Sequence, residues 1–275
     1  MDNRPIGVFD SGVGGLTTVK ELHAILPNED IVYFGDTGRV PYGTRSAQTI
    51  RKYAAQDVRY LVEHDVKMVV AACGTVSANV REEDIRGWNL KVPYTGVVPH
   101  TARAACETGG RRIGVIATPA SIRSGAYPKA IAEIDPSVQV FQSACPLFVP
   151  LVENGMTGVN NQITRLTAQM YMEPLLRENI DTLILGCTHY PLLAPVLSNL
   201  LGGGVKLVDA GAAAARYLRA LLLETNTCTG RKEPGRTSYF VTDTVRSFAQ
   251  VAQNFLDEDI SEHTTFVDLD SGFWQ

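Results

Sequence analysis

The sequence predicts an α/β protein of two similar lobes, each a mainly parallel sheet flanked by helices, related by pseudo-twofold symmetry. Short Val- and Ile-rich runs alternate with helix-length segments, which is typical of parallel sheets covered by helices. The run IGVFDS at residues 6–11 is echoed by IGVIAT at 113–118, 107 residues later. Two hydrophobic runs also end in a cysteine, Cys73 and Cys187, which lie 114 residues apart. We interpret these similar offsets as a duplicated βα unit.

Local patterns predict the elements in chain order. Val- and Ile-rich runs predict strands at residues 6–9, 31–34, 67–72, 112–117, 138–141, 181–185 and 205–208. Apolar residues recur at helical spacing between Ile50 and Val62, and Ser46 before them is a candidate N-cap, so a helix is predicted there. Further on, residues 212–223 predict a helix, 239–242 a strand and 245–255 a final helix.

Two breaks in the pattern predict the domain organisation. They lie near residues 97–99 and around the glycine run 202–204. We therefore expect a first lobe of residues 1–97 plus 210–275 and a second lobe of residues 98–209, with the active site in the cleft between them.

Composition narrows the functional class. The chain has 275 residues, of which 45% are hydrophobic and 20% charged, so it can bury substantial cores. A net charge of −4 without a run of Lys or Arg argues against a nucleic-acid partner. Five cysteines without short regular spacing fit a reducing compartment. No apolar stretch approaches the roughly 20 residues that cross a bilayer, and the start lacks a signal-like segment, so we expect a cytoplasmic protein without a membrane partner.

The repeated cysteines suggest a chemistry. Open parallel sheets bind ligands at the carboxyl ends of their strands, which is where Cys73 and Cys187 are predicted to lie. A thiolate can remove a weakly acidic hydrogen from one face of a carbon while a thiol protonates the other face, and inversion of a stereocentre needs such a pair. We expect a helix to start directly after each cysteine, and helix amide groups can lower the pKa of a thiol, so a thiolate is accessible near neutral pH without metal. Asp10 could accept the proton of Cys73, and His189 that of Cys187.

Five motifs in order carry a resemblance that spans nearly the whole chain. They are IGVFDSGVGGLT at residues 6–17, GDTGRVPYG at 35–43, ACGT at 72–75, ACPLFVPLVENG at 144–155 and LGCTHYPLL at 185–193. With these motifs the chain resembles the cofactor-independent glutamate racemases, within the wider group of aspartate and glutamate racemases.

The resemblance implies a role for each matching position. Cys73 and Cys187 would be the catalytic acid/base residues, with Asp10 assisting Cys73, and Glu153 with His189 assisting Cys187. Substrate contacts are implied for the residues around them: Ser11, Pro41, Tyr42, Gly43, Gly74, Thr75, Thr118 and Thr188. The resemblance further implies a small amino-acid substrate, a homodimer, no cofactor and, in bacteria, supply of D-glutamate for peptidoglycan precursors.

Two positions depart from the family pattern. Family members usually carry Asn after the first catalytic cysteine, where this chain has Gly74. Loss of a hydrogen bond from that side chain to a charged group would cost about 1.5–3 kcal/mol. The second departure is Val98-Pro99-His100, where an acidic or amide residue, Pro and Gly are more usual.

Other interpretations of the same residues stay open on the sequence. The Gly12–Gly15 segment suggests phosphate binding, but it lacks the full GxGxxG pattern and the P-loop Lys, so a tight turn is favoured. Cys73, Cys187, His189 and Asp10 could form a zinc site, although no CxxC pair or HExxH motif is present. A racemase of aspartate or another amino acid, or a noncatalytic amino-acid-binding relative, would carry the same thiol pattern.

Overall fold

A computed structural model describes residues 1–269 and contains two parallel sheets flanked by helices. The strands are β1 (Ile6–Asp10), β2 (Ile31–Gly35), β3 (Met68–Ala71), β4 (Tyr94–Gly96), β5 (Arg112–Ala117), β6 (Gln139–Ala144), β7 (Thr182–Leu185), β8 (Lys206–Asp209), β9 (Thr237–Val241) and β10 (Thr264–Phe266). The α-helices are α1 (Leu16–Ile25), α2 (Ala47–Glu63), α3 (Gly74–Asn79), α4 (Glu82–Gly87), α5 (Val97–Glu107), α6 (Pro119–Ser124), α7 (Ala126–Ile134), α8 (Phe148–Glu153), α9 (Gln162–Arg177), α10 (Ala194–Leu201), α11 (Ala210–Glu224) and α12 (Val245–Leu256).

Four strands of the larger sheet have the same order as the four strands of the smaller sheet. The six-stranded sheet runs β10-β9-β2-β1-β3-β4 and the four-stranded sheet runs β6-β5-β7-β8. The order β2-β1-β3-β4 in the first therefore matches β6-β5-β7-β8 in the second, and all of these neighbouring pairs are parallel. The echoed runs form the equivalent central strands β1 and β5. The predicted fold class is confirmed.

Most predicted elements are present, with local differences. The Ser46 cap is confirmed, because its Oγ accepts a hydrogen bond from the Thr49 backbone N–H at 3.2 Å. Strand β6 was predicted at 138–141 but extends to Ala144, because it pairs with β5 over six residues and the ladder continues past the apolar run. Strands β4 and β10 were missed, since each has only three residues.

The chain crosses between the sheets twice. It leaves the first sheet after β4 through α5 and returns after β8 through α11. Helix α5 begins at Val97, directly after β4, so the expected break near residues 97–99 is a helix start without a linker. Helix α11 packs against both α1 and α5 and so joins the helical layers of the two sheets. The residue boundaries of the lobes remain a prediction.

The core lies on both faces of the central strands. Every residue of β1, β2, β3 and β7 is buried, which explains why these strands appear in the sequence as continuous apolar runs. Within residues 1–269, no helix is both long and apolar enough to cross a membrane.

A buried ion pair stabilises the chain directly before β3, the strand that leads to Cys73. Lys67 and Glu29 form it, with side chains 2% and 3% exposed. The Lys67 ammonium also donates to the carbonyls of Asp2 and Thr227, both at 3.0 Å, and Glu29 accepts from the Thr229 backbone N–H at 2.8 Å. The pair therefore ties the chain start and the loop after α11 to the first sheet.

We predict that Lys67→Met lowers the free energy of unfolding by about 3–5 kcal/mol, because it leaves the Glu29 carboxylate buried without a counterion. Urea unfolding followed by circular dichroism measures this. The double variant Lys67→Met/Glu29→Leu removes both charges and should recover much of the loss. A cost below about 1 kcal/mol for the single variant would contradict this account of the pair.

Candidate active site

A cavity of about 350 Å³ opens where the carboxyl ends of both sets of strands meet. Its wall contains every predicted substrate-binding residue: Ser11, Pro41, Tyr42, Gly43, Gly74, Thr75, Thr118 and Thr188. Cys73, Cys187, Glu153 and His189 also line it, and Asp10 lies directly behind the wall. The fold thus brings all thirteen predicted site residues together at one place.

Cys73 is delivered by the end of β3 and forms the N-cap of α3. It is 4% exposed, and its thiol donates to the Ser11 hydroxyl at 3.4 Å. Burial and the nearby Asp10 carboxylate raise the pKa of Cys73 to about 12, against the opposing effect of its hydrogen bonds with Ser11 and the Val76 backbone. This sulfur is therefore a protonated thiol at neutral pH.

Asp10 lies at the end of β1, adjacent to β3 in the sheet. It is 1% exposed; one carboxylate oxygen accepts from the Gly12 backbone N–H at 2.9 Å, and the other lies 3.5 Å from the Thr188 hydroxyl. Burial raises the pKa of Asp10, while the positive charge of His189 and the Gly12 bond act against this rise. Asp10 therefore contacts groups from both lobes beneath the cavity.

Cys187 follows β7 and has different partners. Its sulfur lies 3.8 Å from His189 Nδ1, and His189 Nε2 lies 2.9 Å from a Glu153 carboxylate oxygen. Burial lowers the pKa of His189, but the interactions with Cys187 and Glu153 outweigh burial and raise it to about 10. A 3₁₀ turn, Tyr190–Leu193, follows Cys187, so the helix predicted immediately after this thiol begins only at Ala194.

Direct contacts join the two lobes around the cavity. The hydroxyls of Thr75 and Thr118 lie 2.9 Å apart, and the Thr17 hydroxyl donates to the Thr188 carbonyl at 3.0 Å. A Cβ added at Gly74 would collide with the carbonyl oxygen of Gly186, which is backbone and cannot rotate away. The departure at residue 74 therefore removes a side-chain donor and also permits a close backbone approach that an Asn side chain would prevent.

The glycine-rich segment after β1 also serves close packing. Residues 11–15 form bends and a turn before α1, which confirms the predicted tight turn. A Cβ at Gly14 would collide with the side chains of Thr188 and His189, so this turn can lie against the second lobe only with glycine at that position.

Sequence reasoning missed seven residues of the cavity wall. They are mostly apolar: Gly12, Val40, Thr44, Pro119, Pro146, Val149 and Pro150. Five of them lie inside the matched motifs, and Thr44 and Pro119 directly follow predicted residues, so this proximity was the signal available for them. Their apolar surface limits water around the two sulfurs, which strengthens electrostatic interactions inside the cavity.

The donor set fits proton transfer better than metal binding. Across residues 1–269, no group of three or more His, Cys, Asp and Glu side chains is arranged to hold a metal ion. Two thiols line one cavity instead, one beside a carboxylate and the other beside an imidazole paired with a carboxylate. Such groups can exchange protons with a carbon held between them.

Comparisons with known proteins find similar sequences and similar structures. A family model described as Asp/Glu/hydantoin racemase matches residues 9–218. Glutamate racemases of Geobacter metallireducens and Streptococcus pneumoniae are 46% and 45% identical to the chain, over 93% and 98% of its length and 94% and 100% of theirs. The crystal structure of a glutamate racemase from Francisella tularensis in complex with D-glutamate matches with a TM-score of 0.90 at 40% identity, covering 98% of this chain and 100% of that one.

We predict that Gly74→Ala lowers the free energy of unfolding by about 1–3 kcal/mol, because the new methyl group forces the two lobes apart at Gly186. The control is Gly87→Ala at the end of α4, where an added Cβ meets nothing within 4 Å. That change should be neutral or slightly stabilising. Equal effects of the two substitutions in urea unfolding would contradict the close approach at Gly74.

Proposed function

The chain belongs to the Asp/Glu/hydantoin racemase family, and we propose that it interconverts L- and D-glutamate by moving one proton from the α-carbon to one thiolate and another from the opposite thiol to the α-carbon. The observation that carries the proposal is that Cys73 and Cys187 line one cavity from different lobes. The nearly full-length similarity to glutamate racemases supports glutamate over aspartate as the substrate.

The proposed reaction moves one proton at each face of the α-carbon. A thiolate removes the α-hydrogen, so the Cα–H bond breaks and an S–H bond forms. The opposite thiol then gives its proton to the other face of the carbanion, which forms a new Cα–H bond and leaves a thiolate. The two sulfurs have exchanged protonation states, and the reverse reaction uses them in the opposite order.

The two sulfurs have different partners, and this difference supports different roles for the two thiols. A protonated His189, whose pKa is raised to about 10 by its interactions with Cys187 and Glu153, lies 3.8 Å from the Cys187 sulfur and can exchange a proton with it. Cys73, whose pKa is raised to about 12 by burial, stays a thiol and can act as the acid. When Cys73 is the base instead, Asp10 is placed to take its proton, and the substrate ammonium lowers the cost of charge on sulfur.

The remaining wall residues suit a ligand with one ammonium and two carboxylates. The hydroxyls of Ser11, Thr75, Thr118 and Thr188 can donate to carboxylates or accept from the ammonium. Donors to the α-carboxylate also stabilise the charge that develops when the α-hydrogen leaves. Without an electron-sink cofactor, alignment of the α-carbon with both sulfurs and exclusion of water must lower most of the barrier.

The wider role follows from the family resemblance. We propose that the product, D-glutamate, supplies peptidoglycan precursors, that the protein works in the cytoplasm and that it forms a homodimer. The reduced state of the two proposed catalytic thiols, which such chemistry requires, supports a reducing compartment.

We predict that Cys73→Ala and Cys187→Ala each lower the rate of inversion at least ~10²- to 10⁴-fold in both directions, because each removes one proton-transfer group. The assay incubates protein with each enantiomer of glutamate, and of aspartate as a comparison, and follows chiral separation. Cys106→Ala on α5, outside the cavity, is the matched control and should retain activity. Near-wild-type turnover of either cavity variant would overturn the assignment.

A further inference from the structure

Two buried carboxyl groups lie together behind the loop that lines one side of the cavity. They belong to Asp36, which follows β2, and Asp57 in the middle of α2, and both side chains are fully buried. Arg39 and Tyr42 lie between them. Neither Asp36 nor Asp57 lines the cavity, whereas Tyr42 and its neighbours in residues 40–44 do.

The hydrogen bonds distribute unequally between the two carboxyls. Asp36 accepts from Arg39 Nε at 2.6 Å, from the Thr242 hydroxyl at 2.8 Å and from the Tyr42 hydroxyl in a short hydrogen bond. Asp57 accepts from Arg39 Nη2 at 3.0 Å through Oδ1, and its Oδ2 lies 3.2 Å from the Tyr42 hydroxyl oxygen. The Tyr42 hydroxyl therefore contacts both carboxyls, and its contact with Asp36 is the closer one.

A count of hydrogens decides the protonation of the pair. The Tyr42 hydroxyl has one hydrogen, and the short contact with Asp36 uses it. The contact between Tyr42 and Asp57 Oδ2 is then a hydrogen bond only if Asp57 supplies the hydrogen, which requires a neutral carboxyl. A neutral Asp57 satisfies both of its oxygens, whereas an ionised Asp57 would face the Tyr42 oxygen without a hydrogen between them.

The charge balance leads to the same assignment. Among residues 1–269, Arg39 is the one cation in ion-pair contact with either carboxyl, so two ionised carboxylates would leave one buried negative charge uncompensated. Burial and the adjacent Asp36 raise the pKa of Asp57 well above its usual value, and Arg39 opposes this rise. Asp10 adds a further repulsive charge, and the Tyr94 hydroxyl also faces Asp57, from β4.

We propose that Asp57 is a neutral carboxylic acid that positions Tyr42, and through it the Val40–Gly43 wall of the cavity, for the racemase reaction. Asp36 is the partner that anchors Arg39, through the hydrogen bond from Arg39 Nε at 2.6 Å. The substrate-facing role of this wall rests on the proposed function; the protonation of Asp57 does not. Asp57 is a positioning residue, since it acts on the substrate only through Tyr42.

The position of Tyr42 explains why one buried proton matters at the site. Tyr42 is 1% exposed, its ring lies 5.4 Å from that of Tyr53, and its main chain connects Pro41 to Gly43 at the cavity. Ionisation of Asp57 would remove its hydrogen bond to Tyr42 and place two carboxylates against each other. The wall loop would then lose one of the two hydrogen bonds that hold Tyr42 at its inner end.

Two substitutions at one residue test the proposal. Asp57→Asn keeps an acceptor for Arg39 and a donor for Tyr42, as the neutral acid does, and we expect kcat/KM within roughly threefold of wild type at neutral pH. Asp57→Leu has similar volume without either group, and we expect at least ~10-fold lower kcat/KM, mainly through a raised KM, since a buried hydrogen-bonding group is left unpaired. Asn as harmful as Leu would overturn the proposal.

Two readouts do not depend on racemisation. Infrared spectroscopy of the folded protein at pH 7 should show a protonated-carboxyl stretch that is absent from Asp57→Asn. The stability contributed by the neutral acid is fully present below the pKa of Asp57 in the unfolded chain, about 4, and is lost as the pH rises through its raised pKa in the folded protein. Asn cannot ionise. As the pH rises, the free energy of unfolding of wild type should therefore fall over a pH range where that of Asp57→Asn does not.

The outcomes separate the two proposals. A wild-type protein without the infrared band, or with the same pH dependence of stability as Asp57→Asn, refutes the neutral acid. A protein with the band but without racemase activity refutes the proposed function and leaves the protonation of Asp57 standing.

Discussion

The site depends on a close approach between two parallel sheets at the carboxyl ends of their strands. Thr75 and Thr118 meet at 2.9 Å across the lobes, and the backbone at Gly74 lies against the carbonyl of Gly186. Each sheet alone would present one thiol at its edge. Only the approach of the two edges places both sulfurs on one cavity, where a single carbon can reach both.

The neighbours of the two thiols make the two halves of the site chemically unequal. Both thiols are almost fully buried, but Cys73 lies beside a carboxylate and Cys187 beside an imidazole held by Glu153. The sequence repeat predicts two similar strand ends, whereas the reaction needs one acid and one base at a time. The different neighbours that each lobe contributes provide this difference, and the apolar wall increases their electrostatic effect.

The sequence predicted the parts of the fold and site that depend on local pattern. Long apolar strands and a capped helix such as α2 are recognised by periodicity, and a thiol at a strand end follows from the strand itself. Strands β4 and β10 are too short to give a pattern. The neutral state of Asp57 depends on Asp36, Arg39 and Tyr42, and only folding brings these residues around Asp57. No local sequence pattern could therefore predict that state. The close approach at Gly74 is likewise a tertiary property.

The central claim is that two groups act on opposite faces of one carbon, and hydrogen exchange tests it most directly. L-Glutamate is incubated with the protein in D₂O, and product and remaining substrate are analysed at low conversion. The account predicts one solvent deuterium at the α-carbon of the D-glutamate formed, with the remaining L-glutamate still carrying hydrogen. D-Glutamate that retains the original α-hydrogen, or deuterium entering L-glutamate without inversion, would contradict it.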